Sequence, residues 1–216
     1  MGAAMSNWPT YGLLGAVAGP AVTVLSSYIA QCVPLSWGSI VQREWVAMLA
    51  ASALLSATLV QATERHPASA GALAWLMIIG LLLTLTDWVS HRLPHRIVGA
   101  LFSGGTVQFS LSALVQHDIG PLLRAGVAAA AVFAVGLVIY TSSSGLGFGD
   151  VTLSTTMAFF LGWYSWRHVA VSFVLALMIA AVVSLTLIAR RRVHRGQPIA
   201  LGPALIFGAV CTILQT

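Results

Sequence analysis

The sequence predicts an all-α membrane protein, a bundle of about eight transmembrane helices within a range of six to eight. Three observations carry that prediction. Only 7% of the 216 residues are charged and 58% are hydrophobic, whereas a typical soluble domain is about 25% charged. Mean hydropathy is +0.92, which leaves no polar surface large enough to wrap a soluble core. Apolar stretches near the length that crosses a bilayer, about 20 residues, recur along almost the whole chain.

Taken in order with a window of about 19 residues, the spans are expected near 11–33, 45–63, 69–87, 97–116, 121–142, 151–166, 169–189 and 199–215. The third and seventh are the clearest, since Leu76–Leu85 and Val169–Ile188 carry no charge. Gly19-Pro20 interrupts the first and is expected to kink it. The sixth is short and is expected to end at an interfacial aromatic belt of Trp163, Tyr164 and Trp166. The N-terminal residues Met1–Trp8 lack a basic region, so the first apolar segment is expected to stay as a span. Residues 1–216 form one membrane domain, with a two-span region at 1–66 and the core at 67–216. Neither a soluble domain nor a short-period repeat is apparent. Cys32 and Cys211 have no CxxC partner, which excludes a zinc ribbon or disulfide framework; they read as small apolar residues.

All ten basic residues are arginine. A pI near 10.0 would suit nucleic acid, but no basic face with interleaved aromatics exists, so no nucleic-acid partner is expected. The arginines instead orient the bundle. With eight spans, one side receives Arg43, Arg92, Arg96, Arg190, Arg191, Arg192 and Arg195, and the other only Arg65, Arg124 and Arg167. The positive-inside rule puts the first set in the cytoplasm and both termini outside. The cluster at 190–195 reads as a headgroup anchor.

Five acidic residues remain: Glu44, Glu64, Asp87, Asp118 and Asp150. Glu64, beside Arg65 and His66, reads as a solvated loop residue. Asp118, before Gly120-Pro121, reads as a turn or cap residue. Glu44 at a span start suits the helix dipole. Asp87 differs, because it ends an apolar run, where a carboxylate opposes the dipole of its helix. Asp150 closes the segment Gly145-Leu146-Gly147-Phe148-Gly149. Its alternate glycines allow close backbone approach or positive φ. Counting only arginines places both aspartates on the cytoplasmic side. A carboxylate pair there can share a proton, one member activating a water and the other donating to the carbonyl oxygen and the leaving amine. The competing reading pairs Asp87 with Arg92 or Arg96 and makes Asp150 a helix cap.

Gly147-Phe148-Gly149-Asp150 matches the GxGD signature of intramembrane aspartic peptidases. With Asp87-x6-Pro94 and the closing Pro198-Ile199-Ala200-Leu201-Gly202-Pro203, the chain resembles the type IV prepilin peptidases over about residues 70–216. That resemblance implies a bacterial inner-membrane aspartic endopeptidase, which removes the leader of prepilins or of type II secretion pseudopilins at the cytoplasmic face. It implies Asp87 and Asp150 as the catalytic residues. Gly147 and Gly149 would hold the loop near the substrate backbone, supported by Pro94 and Thr152. The family usually carries Lys at the position of Thr152 and often Asn at that of His95. Long members insert a zinc-binding CxxC methyltransferase domain after the first span; residues 34–44 are too few for it. A peptidase without methyltransferase activity, cofactor or metal is therefore expected. His91 and His95, four apart, lack a Cys or Glu to complete a metal site. The alternatives are another GxGD peptidase, or a transporter or secretion-system assembly subunit using the aspartates as ion or proton sites.

Overall fold

The computed structural model describes residues 8–31, 53–62, 64–90, 95–142, 147–189 and 201–215. Cys32, Arg43, Glu44, Arg92, Pro94 and the 190–195 cluster lie outside the described residues. The described part is helical. Helix α1 spans Trp8–Gln31 and α2 Ala53–Ala62. A 3-10 turn at Pro67–Ser69 leads into α3, Ala70–Ser90. Then come α4, His95–Gln116, α5, Gly120–Ser142, α6, Phe148–Tyr164, α7, Trp166–Ala189, and α8, Gly202–Gln215. Among the described residues, the stretches Pro67–Asp87, His95–Gln116, Gly120–Ser142 and Trp166–Thr186 are long and apolar enough to cross a membrane. The protein is thus an integral membrane helix bundle. Helix α1 runs through Pro20, where the Thr23 hydroxyl donates to the Pro20 carbonyl at 2.8 Å.

Helix α6 is the central element and packs against α4, α5, α7 and α8. At 17 residues it is shorter than α4, α5 and α7. Phe160, Leu153 and Leu161 are fully buried. In lipid, helices gain little from hydrophobicity toward one another and associate through close packing. Gly162 shows this: a Cβ there would lie 2.9 Å from the Ala125 Cα, so only glycine lets α5 and α6 meet. Phe109 of α4 stacks on Trp163 with centroids 4.5 Å apart and meets Phe160 edge-on at 5.3 Å. Such pairs are worth about 0.5–1.5 kcal/mol beyond burial.

The expected aromatic belt is therefore corrected. Trp163 is buried against Phe109, and the Tyr164 hydroxyl shares a 2.7 Å hydrogen bond with Ser69. Only Trp166 of the three is largely exposed. Trp163 and Tyr164 at the end of α6 thus face neighbouring helices.

The termini of the helices sort into two ends. At one end, Arg124 of α5 donates to the carbonyls of Gly162 at 2.8 Å, Tyr164 at 2.9 Å, and Trp163, capping the last turn of α6. The Ser112 hydroxyl of α4 donates to Ala68, next to the start of α3, at 3.1 Å. Arg65 donates to Leu214 near the end of α8. Asp118 accepts from the Gly120 N–H at 2.8 Å, so the expected cap at the start of α5 is present. Its neighbour His117 takes a φ of 53° in the tight α4–α5 turn. Glu64 is exposed, as expected. The alternation of helix ends expected of consecutive spans holds across α3 to α8.

Candidate active site

The opposite end of the bundle carries the two aspartates. Asp87 lies in the last turn of α3 and is 4% exposed. Thr86 beside it is equally buried, its hydroxyl turned to the Leu82 carbonyl at 2.8 Å. Asp150 lies in the first turn of α6, where a helix N-terminus favours an anion. Its backbone N–H donates to the Gly147 carbonyl at 3.0 Å, closing that turn.

Phe148 joins the ends of three helices here. Its ring lies 5.9 Å from the imidazole of His95, the first residue of α4, and 5.7 Å from the Tyr140 ring near the end of α5. The Gly-Phe-Gly-Asp segment is thus held against the helix that follows Asp87. Sequence reasoning gave Phe148, Tyr140 and His95 no such role. A signal was present in part, since Tyr140 and Phe148 stand on either side of the α5–α6 connection.

Gly147 caps α6 with φ −76° and ψ 144°, an ordinary extended conformation. Of the two reasons for its glycine, positive φ is therefore excluded and space remains. A Cβ at Gly147 would lie 3.3 Å from the Asp150 Oδ2, so the missing side chain makes room for the carboxylate. Gly149 contributes its carbonyl, which accepts the Thr152 hydroxyl at 2.9 Å. Thr152 turns back onto its own helix and places no charge near Asp150. Pro94 lies outside the described residues.

Asp150 precedes the apolar stretch of α6, outside the spanning segments. Burial pushes its carboxyl above the ordinary carboxylate range. The charge of Asp87 pushes the same way, and a backbone hydrogen bond with Gly147 opposes both. The structure thus brings the two predicted aspartates close enough to sense each other's ionisation. Among the described residues, no group of three or more His, Cys, Asp or Glu is placed to hold a metal.

Residues 72–189 match the model of the type IV leader peptidase family. The chain belongs to that family. The matched region runs from the first turn of α3 into the end of α7 and contains both aspartates. Among curated proteins, the chain is 28% identical over 152 residues to a prepilin leader peptidase/N-methyltransferase of Aeromonas salmonicida (strain A449), covering 67% of this chain and 50% of that protein. It is 27% identical over 155 residues to the protein of that name from Aeromonas hydrophila, with the same coverage. The chain spans about half the length of these relatives. No solved structure matches it significantly.

Proposed function

We propose that this protein is an aspartic endopeptidase, which removes the leader of type IV prepilins or pseudopilins at the cytoplasmic face of the bacterial inner membrane. The observation that supports this reading is that Asp87 and Asp150 lie at the same end of the bundle, near enough that the charge of Asp87 helps raise the Asp150 carboxyl. Family membership supplies the substrate class.

In the proposed reaction, the ionised carboxylate of the pair takes a proton from a water, which attacks the scissile carbonyl. The protonated carboxyl donates to the carbonyl oxygen as the tetrahedral intermediate forms. A proton then passes to the leaving amine, and the pair returns to one shared proton. Helices α3 and α6 hold the two carboxyls, and Gly147 leaves the space in which Asp150 sits. The arginine distribution favours the cytoplasmic side for this end, with both termini periplasmic. A proton-conducting or assembly role would also use paired carboxylates, but the match of residues 72–189 to a peptidase family favours hydrolysis.

The test is cleavage of a prepilin by membranes carrying wild type, Asp87→Asn or Asp150→Asn, with methyl transfer to the new N-terminus followed alongside. Loss of cleavage in both variants supports the pair. Residues 34–44 hold no CxxC motif, so no methyl transfer is expected from wild type.

A further inference from the structure

Helix α6 carries four serine and threonine side chains: Thr152, Ser154, Thr155 and Thr156. All but one close onto the helix itself. The Thr152 hydroxyl donates to the Gly149 carbonyl at 2.9 Å, Thr155 to Val151 at 2.8 Å and Thr156 to Thr152 at 2.9 Å. The preceding turn is the nearest acceptor for a hydroxyl on a helix, and these three use it. Ser154 does not. Half-buried, it has no hydrogen-bond partner among the described residues. It lines a cavity of about 420 Å³ instead, which α5, α7 and the start of α8 close through residues such as Val135, Leu177 and Leu201. Asp150 and Ser154 are the polar side chains of an otherwise apolar lining. They stand one turn apart on the same face of α6, and the tilt of a helical side chain leans Ser154 back toward the turn of Asp150.

We propose that Ser154 is a further catalytic residue, whose hydroxyl donates a hydrogen bond to the oxygen of the scissile carbonyl as the tetrahedral intermediate forms. This rests on the peptidase reading above, with Asp150 as the protonated member of the pair. Residues four apart on a helix have their Cβ atoms about 5–6 Å apart, a gap that one acceptor oxygen within about 3 Å of each donor fills. Water adds to the carbonyl carbon, and the C=O π pair moves onto the oxygen. Asp150 gives that oxygen its proton, and the other carboxylate takes the proton of the water. Ser154 keeps its own proton and serves the second lone pair. The hydroxyl thus acts most strongly while charge grows on the oxygen, and an apolar lining leaves that interaction unscreened. A polar side chain in apolar surroundings costs free energy unless it is hydrogen-bonded. The free Ser154 hydroxyl is therefore matched to an acceptor that arrives with the substrate.

The test measures kcat and KM of Ser154→Ala on a prepilin precursor that wild-type protein cleaves, with thermal unfolding followed alongside. Removing a donor from a full oxyanion costs about 100- to 1,000-fold in kcat; the proton from Asp150 carries part of the charge here, so a fall of about ten- to 100-fold is expected. KM should change little, because the bond is made in the transition state. Alanine favours a helix, so the melting temperature should not fall. Ser154→Cys keeps a side chain of similar shape with a weak donor and is expected to lose most of the same rate. Thr155→Val removes a hydroxyl already bonded to Val151 and should leave both constants at wild type. Wild-type kcat in Ser154→Ala or Ser154→Cys, a rise in KM alone, or an equal loss in Thr155→Val overturns the proposal. If Asp150→Asn abolishes cleavage while Ser154→Ala cleaves at the wild-type rate, the role of Ser154 falls and the peptidase reading stands. If Asp150→Asn still cleaves, it is the catalytic pair that falls.

Discussion

Replacing Gly147 by alanine separates space from backbone freedom at the candidate site. Its φ and ψ of −76° and 144° suit any residue, so alanine adds no strain. The added methyl meets the Asp150 Oδ2 at 3.3 Å, closer than the roughly 3.5–4.0 Å of an unstrained contact. The carboxyl must therefore yield by a few tenths of an ångström. A misplacement of about 1 Å at a reacting group can cost about 100-fold. On a logarithmic scale, about 0.3–0.5 Å then predicts a four- to ten-fold fall in kcat, with KM unchanged. Gly147→Val, which adds two further methyls, is expected to lose about 100-fold. Stability should move little. Alanine is a poorer cap than glycine, while the restricted unfolded chain offsets this by about 0.4–1 kcal/mol. The assay is single-turnover cleavage of a purified precursor in detergent, with thermal unfolding measured in parallel. A Gly147→Val protein that folds and cleaves at the wild-type rate would refute the argument that this glycine makes room for Asp150.

Three further outcomes follow from the structure. In the proposed pair a raised Asp150 carboxyl holds the proton beside an ionised Asp87, so its loss sets the alkaline limb of activity above the ordinary carboxylate range; Thr152→Lys puts a cation near that carboxyl and is expected to move that limb downward, as a pH profile of kcat would show. Because the folded carboxyl holds its proton to higher pH than the unfolded one, its contribution to stability is full below the ordinary carboxylate pKa and lost as pH rises through the raised one. Asp150→Asn should accordingly raise the melting temperature at neutral pH and lose that advantage in acid. Arg124→Met strips the last carbonyls of α6 of their charged donor. It is expected to cost about 1.5–3 kcal/mol, the range for hydrogen bonds to charged groups, and to leave kcat nearly unchanged because it acts at the far end of the bundle.

How much of this was legible in the sequence differs from residue to residue. The helices were, because runs such as Leu76–Leu85 admit few alternatives once charge is absent. The common end for Asp87 and Asp150 was also legible, since alternating spans with counted arginines decide it without reference to either carboxylate. The role of Asp118 followed from the Gly-Pro after it. The end of α6 was misread because an aromatic pair at a helix terminus has the same sequence pattern whether it faces lipid headgroups or, like Trp163 and Tyr164, packs on Phe109 and Ser69. A cavity on α6 at Asp150, walled by Val135 of α5 and Leu177 of α7, left no trace at all. Val135 lines it and Val138 does not, yet both are exposed valines on α5. Gly147 was noticed for the right residue type, but its purpose became visible only with the position of the Asp150 oxygen.

The central claim is that Asp87 and Asp150 act as one catalytic pair, and the rates of Asp87→Asn, Asp150→Asn and the double variant on a prepilin precursor test it most directly. Groups that act as a unit are not additive. The pair therefore predicts that each single variant loses cleavage to the level of the double variant, with all three proteins folded and inserted. Normal processing by either single variant, or losses that multiply in the double variant, would contradict it.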